Sequence, residues 1–143
     1  MKKGRGVDLE NRVGSYLGTE IDGKWWKRYK EHHFFARGLG EWRFTDQGFS
    51  FQRALTRAPL IIPYHLVTTI GTGTWHAGQW LMGRTLVKVY WSQEGLSLCS
   101  GFFVSRLNEE TQRFALELER RVRLGGGSAP FLPAGPLRGS GRP

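Results

Sequence analysis

The sequence predicts a mainly β domain with one C-terminal helix, an α+β architecture in which a strongly bent antiparallel sheet is closed by that helix. Three observations carry this. Aromatics alternate with polar residues through "GEWRFTDQGFSFQRA", residues 40–54. A second alternating run, "TLVKVYWSQEGLSLCSGFFVS", is split by a turn centred on a glycine. One stretch near the C-terminus, from Asn108 onward, has helical rather than strand periodicity.

Taken in order, Asp8 caps a short helix over 8–17, with Leu9, Val13, Tyr16 and Leu17 on one face and Gly18 as its stop. In the first hairpin, Trp42 and Phe44 precede the turn, Phe49 and Phe51 follow it, and "TDQG" places Gly48 where a positive φ is wanted. "APLIIPYHLVTTIGTG" supplies Leu60, Ile62 and the run Val67 to Ile70. Pro63 cannot donate to a ladder, so the strand ends, bulges or lies at an edge there. "TWHAGQWLMGR" is compatible with a strand or an aromatic loop. In the second hairpin Leu86, Val87, Val89, Tyr90 and Trp91 precede the turn at 92–95, and Leu96, Leu98, Phe102 and Val104 follow it. Gly101 marks a bulge or a close approach. The final helix is capped by Asn108, carries Glu109 and Glu110 in its first turn, and shows Phe114, Leu118 and Val122 as a stripe. Glu109 with Arg113, Glu117 with Arg121 and Glu119 with Arg123 are pairs at i,i+4. Gly125 to Gly127 end it. The expected organisation is a helical arm at 1–20, one barrel-like domain at 21–124 and a disordered Gly/Pro-rich tail at 125–143.

Residues 40–70, "GEWRFTDQGFSFQRALTRAPLIIPYHLVTTI", resemble the pleckstrin-homology-like (PH-like) domains of the GRAM and bacterial types. In those, a "G-x-L-x-x-T-D-x-G-L" hairpin is followed by "I-P-Y-x-x-I-x-x-I". The resemblance runs from about residue 34 to about residue 124. It implies a split β-barrel of about six to seven antiparallel strands capped by one helix, a scaffold for binding lipids, peptides or partner domains. Fold does not fix the ligand. Phosphoinositide-binding members of the superfamily place basic residues around the loop between the first two strands. With Trp42 to Thr45 as the first strand that loop is "TDQG", short and acidic, which argues against specific phosphoinositide recognition.

The 143 residues suit a single domain, and the net charge of +9 favours anionic partners. The one cysteine, Cys99, permits no intramolecular disulfide, and no apolar run reaches the ~18–20 residues of a membrane span, so a cytoplasmic protein is expected, with attachment at a membrane periphery open to it. The densest basic knot is "KWWKRYK", residues 24–30, within "KWWKRYKEHH", residues 24–33, the most unusual composition in the chain. As a helix it puts Trp25, Trp26, Tyr29 and His33 on one side, the construction of an interfacial helix on an anionic membrane. The candidate binding residues are Lys24, Trp25, Trp26, Lys27, Arg28 and Lys30, facing an anionic lipid surface or an acidic protein. The same residues also suit a nucleic-acid groove, where aromatics stack on bases. A plain structural role, with the indoles packed on the barrel, competes with both. A barrel that oligomerises or docks through a strand edge is a further alternative.

No enzymatic motif is present: there is no "GxSxG", phosphate loop or dinucleotide fingerprint, and "GTGTWHAG" lacks the spacing and the following helix. His32, His33, His65 and His76 show no ligand spacing, so no metal or other cofactor is expected. Cys99, inside a strand without basic neighbours in sequence, reads as a buried thiol rather than a nucleophile.

Overall fold

The computed structural model describes residues 12–34, 37–128 and 131–132. Its strands are β1 (Val13–Ile21), β2 (Lys24–Arg28), β3 (Gly38–Phe44), β4 (Gly48–Arg53), β5 (Leu60–Pro63), β6 (Val67–Gly73), β7 (Trp75–His76), β8 (Gln79–Trp80), β9 (Leu86–Gln93), β10 (Leu96–Phe103) and β11 (Phe131–Leu132). A 3-10 turn at Tyr64–Leu66 joins β5 to β6, and α1, the one α-helix among the described residues, spans Asn108–Leu124.

The main sheet runs β5-β4-β3-β1-β10-β9-β6-β11, with β2 added to β1. Among the described residues only the β11 to β6 pairing is parallel. β5 and β6 are consecutive in the chain yet do not pair, so the sheet bends round its own apolar face and stays split along that seam. Helix α1 covers the split, touching β6, β9 and the 3-10 turn. Its stripe is buried, and Phe114 meets Trp42 edge-on at 4.8 Å and Phe49 at 5.5 Å. The result is a PH-like split barrel plugged by its C-terminal helix.

The first hairpin forms as the alternation requires, Trp42 opposite Phe51 and Phe44 opposite Phe49. The turn chemistry differs from expectation. Thr45 organises it, its Oγ1 donating to the Gly48 carbonyl at 2.8 Å and accepting the Gly48 N–H at 3.1 Å. Gly48 is not among the positive-φ residues. Glycine is needed because a Cβ there would stand 2.3 Å from the Ile62 carbonyl oxygen. Pro63 closes β5 at the sheet edge, as its missing N–H dictates. The second hairpin turns on Glu94 and Gly95, both at positive φ (56° and 80°), a two-residue turn of the type whose twist matches the strands.

Three expectations need correction. Residues 8–11 of the expected helix lie outside the described residues, but from Val13 to Ile21 the chain is a strand, paired to β10, β2 and β3. The helical spacing of Tyr16 and Leu17 was produced by a β-bulge: Leu17 and Gly18 together face Gly101, which brings two successive side chains inward. Gly14, costly inside a helix, suits the strand because a Cβ there would lie 2.5 Å from the Phe103 carbonyl oxygen. Second, Asn108 is the first helical residue rather than the cap. Leu107 holds the cap position, and Ser105 does the bonding, accepting the Leu107 N–H at 3.0 Å and donating to Glu110 at 2.7 Å. Third, Phe131–Leu132 in the expected disordered tail pair with β6, while residues 133–143 lie outside the described residues.

A buried chain of hydrogen bonds ties β9, β10 and β1 together. Trp91 Nε1 lies 3.0 Å from Ser100 Oγ, Ser100 Oγ 2.6 Å from Thr19 Oγ1, Thr19 Oγ1 2.6 Å from the Tyr16 hydroxyl, and that hydroxyl 3.1 Å from the Phe34 carbonyl oxygen. An indole can only donate and a carbonyl can only accept, so the direction of every bond between them is set. Each hydroxyl accepts from the Trp91 side and donates toward Phe34. Burial pushes the Tyr16 phenol well above its ordinary pKa and keeps it a donor.

Candidate functional site

The segment between β1 and β3 carries the basic aromatic knot. Asp22 and Gly23, both at positive φ, turn the chain so that β2 folds back on β1, with Glu20 opposite Arg28 and Ile21 opposite Lys24. The segment is a strand, not a helix, and this changes which aromatics face out. Tyr29 enters the core against Phe34 and Trp91. Trp25 and Trp26 stay outside, 44% and 61% exposed, in edge contact with each other at 5.9 Å. Lys24, Lys27 and Lys30 are exposed beside them.

The undecided stretch "TWHAGQW" forms a separate small hairpin, β7 with β8, turning on Ala77 and Gly78 at positive φ. It leans on β2: Trp75 meets Trp25 at 6.0 Å, and a Cβ at Gly78 would touch the Trp25 ring at 3.4 Å. Trp80, directly opposite Trp75, is 58% exposed. Ring contact and register thus link Trp26, Trp25, Trp75 and Trp80 into one surface, with exposed Met82 and Arg84 just beyond it.

Behind this surface lies an open cleft of about 400 Å³ lined by Gly18, Trp25, Trp26, Arg28, Phe34 and Arg37. Two guanidinium groups converge there on one carbonyl: Arg28 Nη2 donates to Ala77 O at 2.6 Å and Arg37 Nη2 at 3.2 Å. Arg28 Nη1 also donates to the Trp25 carbonyl. Burial, and then the nearby Arg37, lower the Arg28 pKa from its usual value, though arginine stays charged at any physiological pH. Glu20 lies near enough to Arg28 to oppose that lowering, and one carboxylate with one carbonyl dipole against two guanidinium groups leaves the cleft net positive, which favours an added anion.

All six residues expected from the sequence thus fall in one region, with Trp25, Trp26 and Arg28 lining the cleft. Sequence reasoning missed Arg37, Trp75, Trp80 and the Ala77 carbonyl, because β7 and β8 reach β2 only through the fold. The two tryptophans flanking a His-Ala-Gly turn were the available signal. The structure also changes which loop separates the first two barrel strands. Since β1 precedes β3, the connection between them runs through β2 and carries Lys24, Lys27, Arg28, Lys30 and Arg37, in place of the acidic turn at 45–48.

The histidines separate. His32 and His33 are exposed in a turn at positive φ, His32 lying 3.6 Å from Glu94, and His65 is exposed in the 3-10 turn. His76 is fully buried under the cleft, where Glu20, His76 and Cys99 bring one potential ligand atom each to within 4.8 Å of one another. Burial pushes the Cys99 thiol up to about 12, which leaves it protonated and unsuited to nucleophilic attack. No helix among the described residues is long and apolar enough to cross a membrane.

Comparison with protein families gives a match to the model described as "Bacterial PH domain-like", over residues 3–117. Comparison with curated proteins gives no match.

Proposed function

The chain belongs to the bacterial PH domain-like family, and from that premise we propose that it is a non-catalytic binding module, a single unit from β1 through α1, that attaches to anionic membrane surfaces through β2 and the arginine cleft. The observation that carries this reading is the union, on one face, of exposed indoles with converging guanidinium groups. Indoles at an interface bury an apolar body while keeping a polar edge wet, and arginines pair with phosphate in bidentate fashion. Trp26, Trp80 and Met82 supply the apolar contact; Lys24, Lys27, Lys30, Arg28 and Arg37 supply the charge. The basic connection from β1 through β2 to Arg37 supports phosphate recognition where an acidic first loop would oppose it. The proposed location is a cytoplasmic membrane face, held peripherally.

Co-sedimentation with phosphatidylserine-containing and pure phosphatidylcholine vesicles tests the reading. Binding is expected only to the anionic vesicles, weaker as salt shortens the Debye length from ~10 Å at 0.1 M, and lost in the Arg28→Gln/Arg37→Gln double variant. Equal sedimentation with both vesicle types overturns it. A gel shift on single-stranded nucleic acid without any vesicle preference transfers the same residues to the nucleic-acid reading.

A further inference from the structure

The buried group beneath the cleft has a feature that neither packing nor anion binding explains. The His76 ring lies across Gly101, where a Cβ would stand 2.4 Å from its Cδ2. Its Nε2 is 2.9 Å from the Gly18 carbonyl oxygen. A carbonyl only accepts, so Nε2 carries the hydrogen, and in the neutral ring Nδ1 presents a bare lone pair. That Nδ1 is buried without a hydrogen-bond partner. It faces Oε2 of Glu20 at 3.7 Å, an oxygen already accepting the Ala77 N–H at 2.7 Å. Two lone-pair atoms face each other with the Cys99 sulfur beside them, all within 4.8 Å.

We infer that Glu20, His76 and Cys99 form a site for one divalent cation of zinc type, which pins the β7–β8 hairpin to β1 and β10. The donor set is the mixed N, O, S set such a cation takes. With Cys99 as thiolate and Glu20 as carboxylate, two negative charges cancel the ion, which leaves the buried site neutral. On binding, the Cys99 thiol proton passes to solvent and a sulfur–metal bond replaces the S–H bond. The Gly18 carbonyl serves as the outer partner that fixes the imidazole tautomer. Tetrahedral zinc with bonds of about 2.0–2.3 Å separates its ligands by roughly 3.4–3.7 Å. A nitrogen and an oxygen ligand at about 2.0–2.2 Å stand roughly 3.3–3.5 Å apart, so Nδ1 and Oε2, now 3.7 Å apart, must close slightly and the sulfur must approach as well. Two cations oppose the ion: Lys88, which lies near both His76 and Cys99, and Arg28, which lies near His76. This inference does not depend on the attachment reading: loss of metal and loss of vesicle binding are separate measurements.

The test refolds the full chain with zinc, dialyses it exhaustively, measures metal by elemental analysis, and repeats the loading with cobalt(II). One equivalent of zinc is expected, and the cobalt form should show a thiolate-to-metal charge-transfer band in the near ultraviolet. Cys99→Ser should abolish that band. Glu20→Gln, which keeps shape and the Ala77 acceptor, should weaken metal affinity at least about tenfold, since even outer-shell losses cost that much. The His32→Ala/His33→Ala double variant should retain metal and band alike, and Lys88→Met should bind at least as tightly as the parent chain. A folded chain that holds no zinc after refolding overturns the inference, as does a cobalt band that survives Cys99→Ser.

Discussion

The hydrogen-bond chain from Trp91 to Phe34 makes a prediction that ordinary packing does not. Thr19→Val removes one hydroxyl while keeping the side-chain shape. It leaves Ser100 Oγ–H, fully buried, with no acceptor in place of Thr19 Oγ1 at 2.6 Å. Stranding a buried donor costs about 1–3 kcal/mol, so Thr19→Val should lose that much. Ser100→Ala instead strands the Trp91 indole N–H, at a similar cost of about 1–3 kcal/mol. In the double variant no Ser100 donor remains to be stranded, and only the indole is left without a partner. The double variant should therefore be no less stable than Ser100→Ala alone, a coupling of about 1–3 kcal/mol where independent sites add. Urea denaturation with a common m-value measures all four chains. Additive costs, or a neutral Thr19→Val, would refute the assigned direction of the bonds.

Three further outcomes follow from the same geometry. Gly101→Ala drives a methyl into the His76 ring and breaks its bond to Gly18; overpacking and the lost bond together should cost about 2–4 kcal/mol in urea denaturation. Phe114→Ala removes the ring that helix α1 sets against Trp42, Phe44 and Phe49, and should cost about 3–5 kcal/mol, read the same way. Glu117 is held below the usual carboxylate range by its bond to Arg120, with Arg121 helping. A depressed carboxyl contributes stability above its unfolded pKa and loses it as pH falls through the folded one, so as pH falls through and below the usual carboxylate range the parent chain should lose more stability than Glu117→Gln, measured by melting temperature.

The hairpin at 42–51 was legible because alternation specifies a half-buried strand whatever its neighbours, and α1 was legible because its stripe and its terminal glycines agree. The pairs Glu117 with Arg121 and Glu119 with Arg123 form as their spacing requires. β1 was misread because a bulge at Leu17 and Gly18 imitates helical spacing, and the contact that argues for a strand, the close approach of Gly14 to β10, exists only in the folded sheet. That one error also moved the first connection of the barrel from the β2 segment to the turn at 45–48. At the candidate site the local half, Lys24 to Lys30, could be read directly. Arg37 and the β7–β8 tryptophans could not, and neither could the meeting of Glu20, His76 and Cys99, which the chain separates by 56 and 23 positions.

Hydrogen exchange of the chain with and without phosphatidylserine vesicles tests the attachment account most directly, since it reports which backbone becomes shielded. The account predicts added protection in residues 24–34 and 75–84, around the exposed indoles and the cleft, with the β3–β4 hairpin unchanged. Protection confined to the 45–48 turn and the outer face of α1, with residues 24–34 still exchanging freely, would contradict it.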